Sequence, residues 1–114
     1  MDSLIAALRV GSGGRVIGVD FSRPMLKRAQ GAAAALGVST VHFHQADAER
    51  LPLGDASVDV ALVNGILNLN PARTAILVEL ARVVRPGGSI YAAEMILREP
   101  LPPEEASNLT NWFA

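Results

Sequence analysis

The sequence contains no cysteine, which excludes disulfide bonds and thiolate metal ligands. Charged residues make up only 18% of it and the formal net charge is -1, so its electrostatics do not favour a nucleic acid or an anionic membrane as partner. No apolar run is long enough to span a bilayer, and the amino terminus lacks the basic stretch of a secretion signal. These absences favour a cytoplasmic protein with small polar or neutral ligands.

Half of the 114 residues are hydrophobic, which is enough for a core, and the length fits a single domain over residues 1–114. Short apolar runs predict β-strands at 15–20, 40–45, 58–63 and 89–96. Helical spacing and capping residues predict helices at 2–9, 22–36 and 70–84, with a fourth beginning at 103 or 104. Strands that alternate with helices predict an α/β fold with a parallel sheet.

The spacing of apolar residues also predicts which helix faces are buried. The residues expected on the apolar faces are Leu4, Ile5 and Leu8, then Met25, Ala29, Ala32 or Ala33, and Leu36, then Ile76, Leu77, Leu80, Val83 and Val84. Ser22 and Asn70 are the expected caps of the second and third helices.

An acidic residue ends the first strand, in the segment RVIGVDFSRPML. The carboxylate of Asp20 offers two acceptor oxygens to the vicinal hydroxyls of a ribose, which predicts a nucleotide-type cofactor site. The alternative is an aspartate that only shapes the turn or caps the helix. Phe21 follows, and its ring can pack on an adenine or belong to the core; the sequence leaves both open.

Polar residues also follow the second and third strands. Asp47 can accept from an exocyclic amine while the Ala48 amide donates to a ring nitrogen; the alternative is an Asx turn at Asp47. Asn64, at the end of the third strand, is placed to line a ligand cleft, and Asn68 can do the same. Open parallel sheets bind ligands beyond the carboxyl ends of their strands, so we expect these residues on one edge.

Other candidates for chemistry are weaker. GSGG at 11–14 follows a helix and opens a strand, the reverse of a phosphate-binding loop, so we expect a turn. His42 and His44 lie on one face of a strand, but no third ligand is evident and we predict no metal site. No serine lies in a nucleophile elbow, so a hydrolase is not expected and no catalytic residue can be named.

Taken in order, these segments resemble the middle of a class I S-adenosylmethionine-dependent methyltransferase, of the methyltransferase type 11 or arsenite methyltransferase-like kind. The resemblance covers about residues 4–97, through GGRVIGVDFSRPML, DAERLP with SVDVALVNGILN, and ARVVRPGGSIYAAE. It implies that Asp20 holds the ribose of the cofactor S-adenosylmethionine, that Asp47 and Ala48 hold its adenine, and that Asn64 lies beside its methionine moiety.

The chain also departs from that family. Gly65 follows Asn64 where arsenite methyltransferases carry one of their arsenic-binding cysteines, so arsenic is not the expected acceptor. The resemblance implies a Rossmann-like sheet of about four strands that begins after the family's central first strand and its glycine-rich loop. Without that strand, 15–20 and 58–63 would have unpaired inner edges. We expect these strands to pair directly or to be covered by a second chain, most simply in a homodimer, and we expect weak cofactor binding.

The resulting prediction is a partial methyltransferase domain that transfers the methyl group of S-adenosylmethionine to a small-molecule acceptor. The main alternative is a non-catalytic oligomerisation or interaction module derived from the same fold. A third hypothesis is a Rossmann-type protein that binds another adenosine ligand.

Overall fold

The computed structural model of the chain describes residues 2–68, 70–95 and 103. Its elements are, in order, α1 (Asp2–Val10), β1 (Val16–Asp20), α2 (Arg23–Ala35), β2 (Val41–Gln45), β3 (Val58–Asn64), α3 (Arg73–Val83) and β4 (Val84–Ala93). This is the predicted order of helices and strands. The helix predicted to begin at 103 or 104 lies, apart from Pro103 itself, outside the described residues.

The four strands form two parallel pairs. β1 pairs with β2, and Asp20 lies opposite Gln45 at their carboxyl ends. β3 pairs with β4, and Asn64 lies opposite Ala93. Within the described residues no ladder joins β1 to β3, so the direct pairing considered from the sequence is not found there. The α/β fold with parallel strands is confirmed, and the sheet is divided where the sequence predicted a missing strand.

Each strand pair has its own small hydrophobic core. On β1 and β2, the buried side chains of α1 and α2 meet in one cluster of Leu4, Ala7, Ala33 and Val41. On β3 and β4, α3 contributes Ile76 and Leu80, which pack on Val63. The predicted helix faces are partly wrong. In α2 the structure buries Ala33, as predicted, and Leu26, which was not predicted, while Ile5, Leu8, Met25, Leu36 and Leu77 are exposed.

The starts of the helices are set by local polar contacts. Ser22 caps α2 as predicted, because its hydroxyl accepts from the Met25 amide. The N-cap of α3 is Ala72, two residues later than predicted. Asn70 instead closes a turn ahead of the helix, since its side-chain oxygen accepts from the Ala72 amide at 2.9 Å.

The turn predicted at RPGG belongs to an irregular start of β4. Val84 lies opposite Val58, and regular pairing resumes only at Ser89, opposite Val60. Gly88 sits inside this irregularity against the neighbouring strand. A Cβ added there would lie 2.5 Å from the carbonyl oxygen of Asp59 and 2.6 Å from Cγ1 of Val84. Only glycine fits this position without displacing backbone.

None of the helices in the described part of the chain combines the length and the apolar character needed to cross a membrane.

We predict that Gly88→Ala lowers the free energy of unfolding by about 1–3 kcal/mol, because the new methyl group must push β3 and β4 apart. The measurement is denaturant unfolding followed by circular dichroism. Gly54→Ala is the matched control, since nothing lies within 4 Å of a Cβ at Gly54. Equal stability of the two variants would show that the start of β4 can shift to make room.

Candidate functional site

The carboxyl ends of β1 and β2 bring the predicted site residues together. After β2, the Ala46 amide donates to the Asp20 carbonyl at 3.1 Å, so the chain leaving β2 runs beside the end of β1. Asp47 is the next residue. Asp20 and Asp47 therefore follow neighbouring strand ends on the same edge of the sheet, as the sequence predicted.

The Asp20 carboxylate is half-buried and already makes one contact. Its Oδ1 accepts from the Ser22 amide at 2.9 Å, which is the turn-forming role considered as the alternative. Its Oδ2 makes no hydrogen bond within the described residues. A carboxylate has about four acceptor positions, so this turn leaves Asp20 able to accept from the two hydroxyls of a ribose.

Phe21 is 70% exposed, which removes the possibility that its ring belongs to the core. The backbone around it is held by Gln45, whose side-chain amide donates to the Phe21 carbonyl at 3.1 Å. The side-chain oxygen of Gln45 accepts from Nε of Arg23 at 3.2 Å. Gln45 was not predicted as a site residue; its only signal in the sequence is a polar side chain at a strand end.

Asp47 is exposed, and its side chain makes no hydrogen bond within the described residues. The turn that follows it is closed by backbone, because the Arg50 amide donates to the Asp47 carbonyl at 3.0 Å. The Asx turn considered from the sequence is therefore not formed. Ala48 is half-buried and packs against the core cluster under α3. The loop after β2 thus crosses from one strand pair to the other.

Asn64 lies at the end of β3 and faces the amino end of α1. Its side-chain amide donates to Oδ2 of Asp2 at 3.1 Å. Gly65 follows with φ of +72°, a left-handed conformation that side chains rarely adopt. Its amide donates to the Ala93 carbonyl at 2.9 Å. The backbone at Gly65 therefore explains glycine here without reference to any ligand.

Glu94 organises the turn after Gly65, and the sequence did not predict this. Its Oε1 accepts from the amides of Ile66 (3.1 Å) and Leu67 (3.0 Å), and its Oε2 accepts from the Asn68 amide at 3.1 Å. The Asn68 side chain donates to the Met95 carbonyl, so Asn68 is held at both ends. One carboxylate therefore fixes the backbone of the turn that follows Asn64.

A cavity of about 280 Å³ lies next to this edge, between α1 and α2. Its lining is mainly apolar and includes Met25 and Ala29, with Asp20 and Ser3 at its polar side. The cavity is on the helix-covered face of β1, whereas Phe21 and Asp47 are exposed beyond the strand ends.

The segment GSGG and the two histidines of β2, which the sequence offered as weaker candidates for chemistry, do not form a binding site in the described residues. GSGG forms the expected turn, in which the Gly14 amide donates to the Gly11 carbonyl at 3.3 Å. His42 and His44 are exposed on β2. Across residues 2–68 and 70–95, no three histidine or carboxylate side chains are grouped as metal ligands.

A family model described as a methyltransferase domain matches residues 1–114. The chain belongs to this methyltransferase family. It is 34% identical over 101 residues to an arsenite methyltransferase of Halobacterium salinarum, covering 89% of this chain and 26% of that protein. It is 40% identical over 95 residues to a demethylmenaquinone methyltransferase of Desulfitobacterium hafniense, covering 82% of this chain and 37% of that protein.

The fold of this methyltransferase chain matches a solved structure as well. An arsenic(III) S-adenosylmethionine methyltransferase from Chlamydomonas reinhardtii superposes with a TM-score of 0.81 at 31% identity, covering 96% of this chain and 40% of that one. The predicted Rossmann-like fold and the predicted family are confirmed. The chain spans well under half the length of each of these relatives. S-adenosylmethionine is the cofactor of this family.

The described residues fit the adenosine part of that cofactor. Asp20 retains acceptor positions for a diol, the Phe21 ring is uncovered, and the Asp47 carboxylate can accept from an exocyclic amine. The backbone amide of Ala48 has no hydrogen-bond partner within the described part and can donate to a ring nitrogen. These are the donors and acceptors that adenosine requires, placed along one sheet edge.

We predict that Glu94→Gln lowers the free energy of unfolding by about 1–3 kcal/mol, because an amide offers one acceptor oxygen where the turn needs two. Amide hydrogen exchange should become faster at Ile66, Leu67 and Asn68 than it does at amides elsewhere in the chain. Glu49→Gln is the control, since the exposed Glu49 side chain has no hydrogen-bond partner within the described residues. Unchanged exchange in the turn would mean that Glu94 does not hold it.

Proposed function

We propose that residues 1–114 form part of a methyltransferase domain that binds S-adenosylmethionine and transfers its methyl group to a small-molecule acceptor. The observation that carries this is the edge formed by Asp20, Phe21, Asp47 and Ala48, where acceptors, a donor and an exposed aromatic ring converge. In this proposal Asp20 accepts from the ribose hydroxyls and Phe21 packs on the adenine. Asp47 and Ala48 bind the edge of the adenine.

Asn64 is assigned to the methionine side of the cofactor. It lies at the end of β3, the strand on the other side of the divided sheet, and the Glu94-bound turn follows it. The bound cofactor would supply an activated methyl group on its sulfonium. The contribution of this chain is to bind and orient the cofactor, because methyl transfer depends chiefly on alignment and on the surrounding electrostatics.

The acceptor is proposed only as a small molecule. The relatives named for arsenite and for demethylmenaquinone share this segment, so the segment itself does not distinguish their acceptors.

We predict that Asp20→Asn weakens binding of S-adenosylmethionine by about tenfold or more, because a hydrogen bond to a charged group is lost with the carboxylate. NMR titration is the measurement, since it follows weak binding. Asp59→Asn is the matched control: Asp59 lies near the amino end of β3 and its carboxylate pairs with Arg85 at the surface.

The proposal fails if the wild-type chain shows no binding at all. It also fails if the two aspartate variants weaken binding equally, because Asp59 lies near the amino end of β3, in the strand pair that does not include β1 and β2.

The proposal includes a homodimer and a cytoplasmic location. Along β3, Ala61 and Val63 face α3, so Val60 and Leu62 point to the other face, where they are 51% and 56% exposed. Tyr91 lies opposite Leu62 on β4 and is 62% exposed. An uncovered apolar face of this kind favours self-association. The same observation supports the alternative of an interaction module. The cysteine-free composition supports the cytoplasmic location.

We predict that light scattering across a concentration series shows a dimer, and that Leu62→Lys weakens its association by about tenfold or more because a lysine cannot be buried there. Val78→Lys is the control, since Val78 is 63% exposed on α3, away from this face. A folded chain that stays monomeric throughout the series would contradict the dimer. Equal effects of Leu62→Lys and Val78→Lys would show that the dimer does not form through the exposed face of β3 and β4.

A further inference from the structure

One arginine of α3 holds the loop between β2 and β3, residues 46–57. Arg82 donates from Nη2 to the Leu51 carbonyl at 3.2 Å and from Nη1 to the Leu53 carbonyl at 2.8 Å. The same Nη1 donates to Oδ1 of Asp55 at 2.8 Å. This loop has no helix or strand to satisfy its backbone, so its path depends on such side-chain contacts.

Glu79, one turn earlier on α3, completes the arrangement. Its two carboxylate oxygens accept from Nε and Nη2 of Arg82 at 2.7 and 2.9 Å, the two-bond geometry that orients an arginine most firmly. The Oε2 atom of Glu79 also accepts from the Leu51 amide at 2.8 Å. Both the amide and the carbonyl of Leu51 are therefore bound by this pair, which we call the α3 clamp.

Both groups of the α3 clamp, the Glu79 carboxylate and the Arg82 guanidinium, stay charged at neutral pH. The hydrogen bond from Arg82, followed by that from the Leu51 amide, lowers the pKa of Glu79 from 4.5 to about 2. Glu79 raises the pKa of Arg82 in turn. A lowered carboxylate pKa means that the stabilisation is complete above the unfolded value of 4.5 and is lost as the pH falls from there through about 2.

The clamped loop is the one that carries the adenine-binding candidates. Asp47 begins a turn that is closed at Arg50, and Leu51 is the next residue. Ala48 and Leu51 both pack against the cluster that contains Leu80. The backbone at Asp47 and Ala48 is therefore connected through a single turn to the point where Leu51 is held.

We propose that Glu79 and Arg82 are positioning residues that fix this loop on α3 and so place Asp47 and Ala48 for the adenine of S-adenosylmethionine. This inference rests on the function proposed above. Neither side chain touches the cofactor in this account. Both act through the backbone of Leu51, and they connect the adenine side of the site, after β2, to the strand pair that carries Asn64.

The test is Arg82→Lys, because lysine keeps the charge but cannot make the parallel bonds to Glu79 together with those to the loop. We expect exchange of the Leu51 amide hydrogen to become about tenfold faster, and binding of S-adenosylmethionine to weaken by about tenfold, at a temperature where the variant is fully folded. Glu79→Gln should produce smaller changes of the same kind, since its amide oxygen can still accept from Leu51, and it serves if Arg82→Lys does not fold.

Arg85→Lys is the matched control, since Arg85 pairs with the exposed Asp59 and, within the described residues, makes no hydrogen bond or ion pair with the loop. It should leave both readouts at their wild-type values. A purely structural role would lower the melting temperature of Arg82→Lys without changing its affinity, and that result overturns the inference. Wild-type-like protection of Leu51 in both clamp variants overturns it as well. Failure of the wild-type chain to bind S-adenosylmethionine overturns the proposed function, and the positioning role with it.

Discussion

The ion pair between Glu79 and Arg82 is the contact on which the relation between the two strand pairs depends. No ladder joins β1 to β3 within the described residues, and each pair has its own small core. The loop after β2 connects them, because it leaves the first pair and is bound and packed on the helix that covers the second. The Asn64–Asp2 hydrogen bond adds a second link at the other end of β3.

The fold could be predicted from the sequence wherever the signal is local. The strands that end on Asp20 and Asn64 appear in the sequence as short apolar runs. Ser22 predicts the start of α2, because a cap and the amide it binds are three residues apart. The buried face of α2 could not be predicted as well. The helix is rich in alanine, so its sequence does not decide between Leu26 and Met25 as the apolar residue of its first turns. The structure buries Leu26 and leaves Met25 exposed, and α2 packs on β1 and β2.

The candidate site was also predictable only where its features follow from local sequence. The shared edge of Asp20 and Asp47 follows from the rule that parallel strands end together, and it is found. The roles of Glu94, Gln45 and Arg82 do not follow from any local pattern. Each binds backbone more than 20 residues away in sequence, so its partner is set by how strands and helices assemble. The sequence left two interpretations each for Phe21 and Asp47. Exposure excludes a core position for Phe21, and the backbone-closed turn excludes an Asx turn at Asp47, while their binding of adenine stays a proposal.

The central claim is that adenosine lies along the edge formed by Asp20, Phe21, Asp47 and Ala48. Intermolecular nuclear Overhauser contacts between the labelled chain and S-adenosylhomocysteine test it directly. We predict contacts from the adenine protons to the Ala48 methyl group and the Phe21 ring, and from the ribose protons to the Cβ protons of Asp20. Adenine contacts to Met25 and Ala29 instead, in the cavity between α1 and α2, would contradict it.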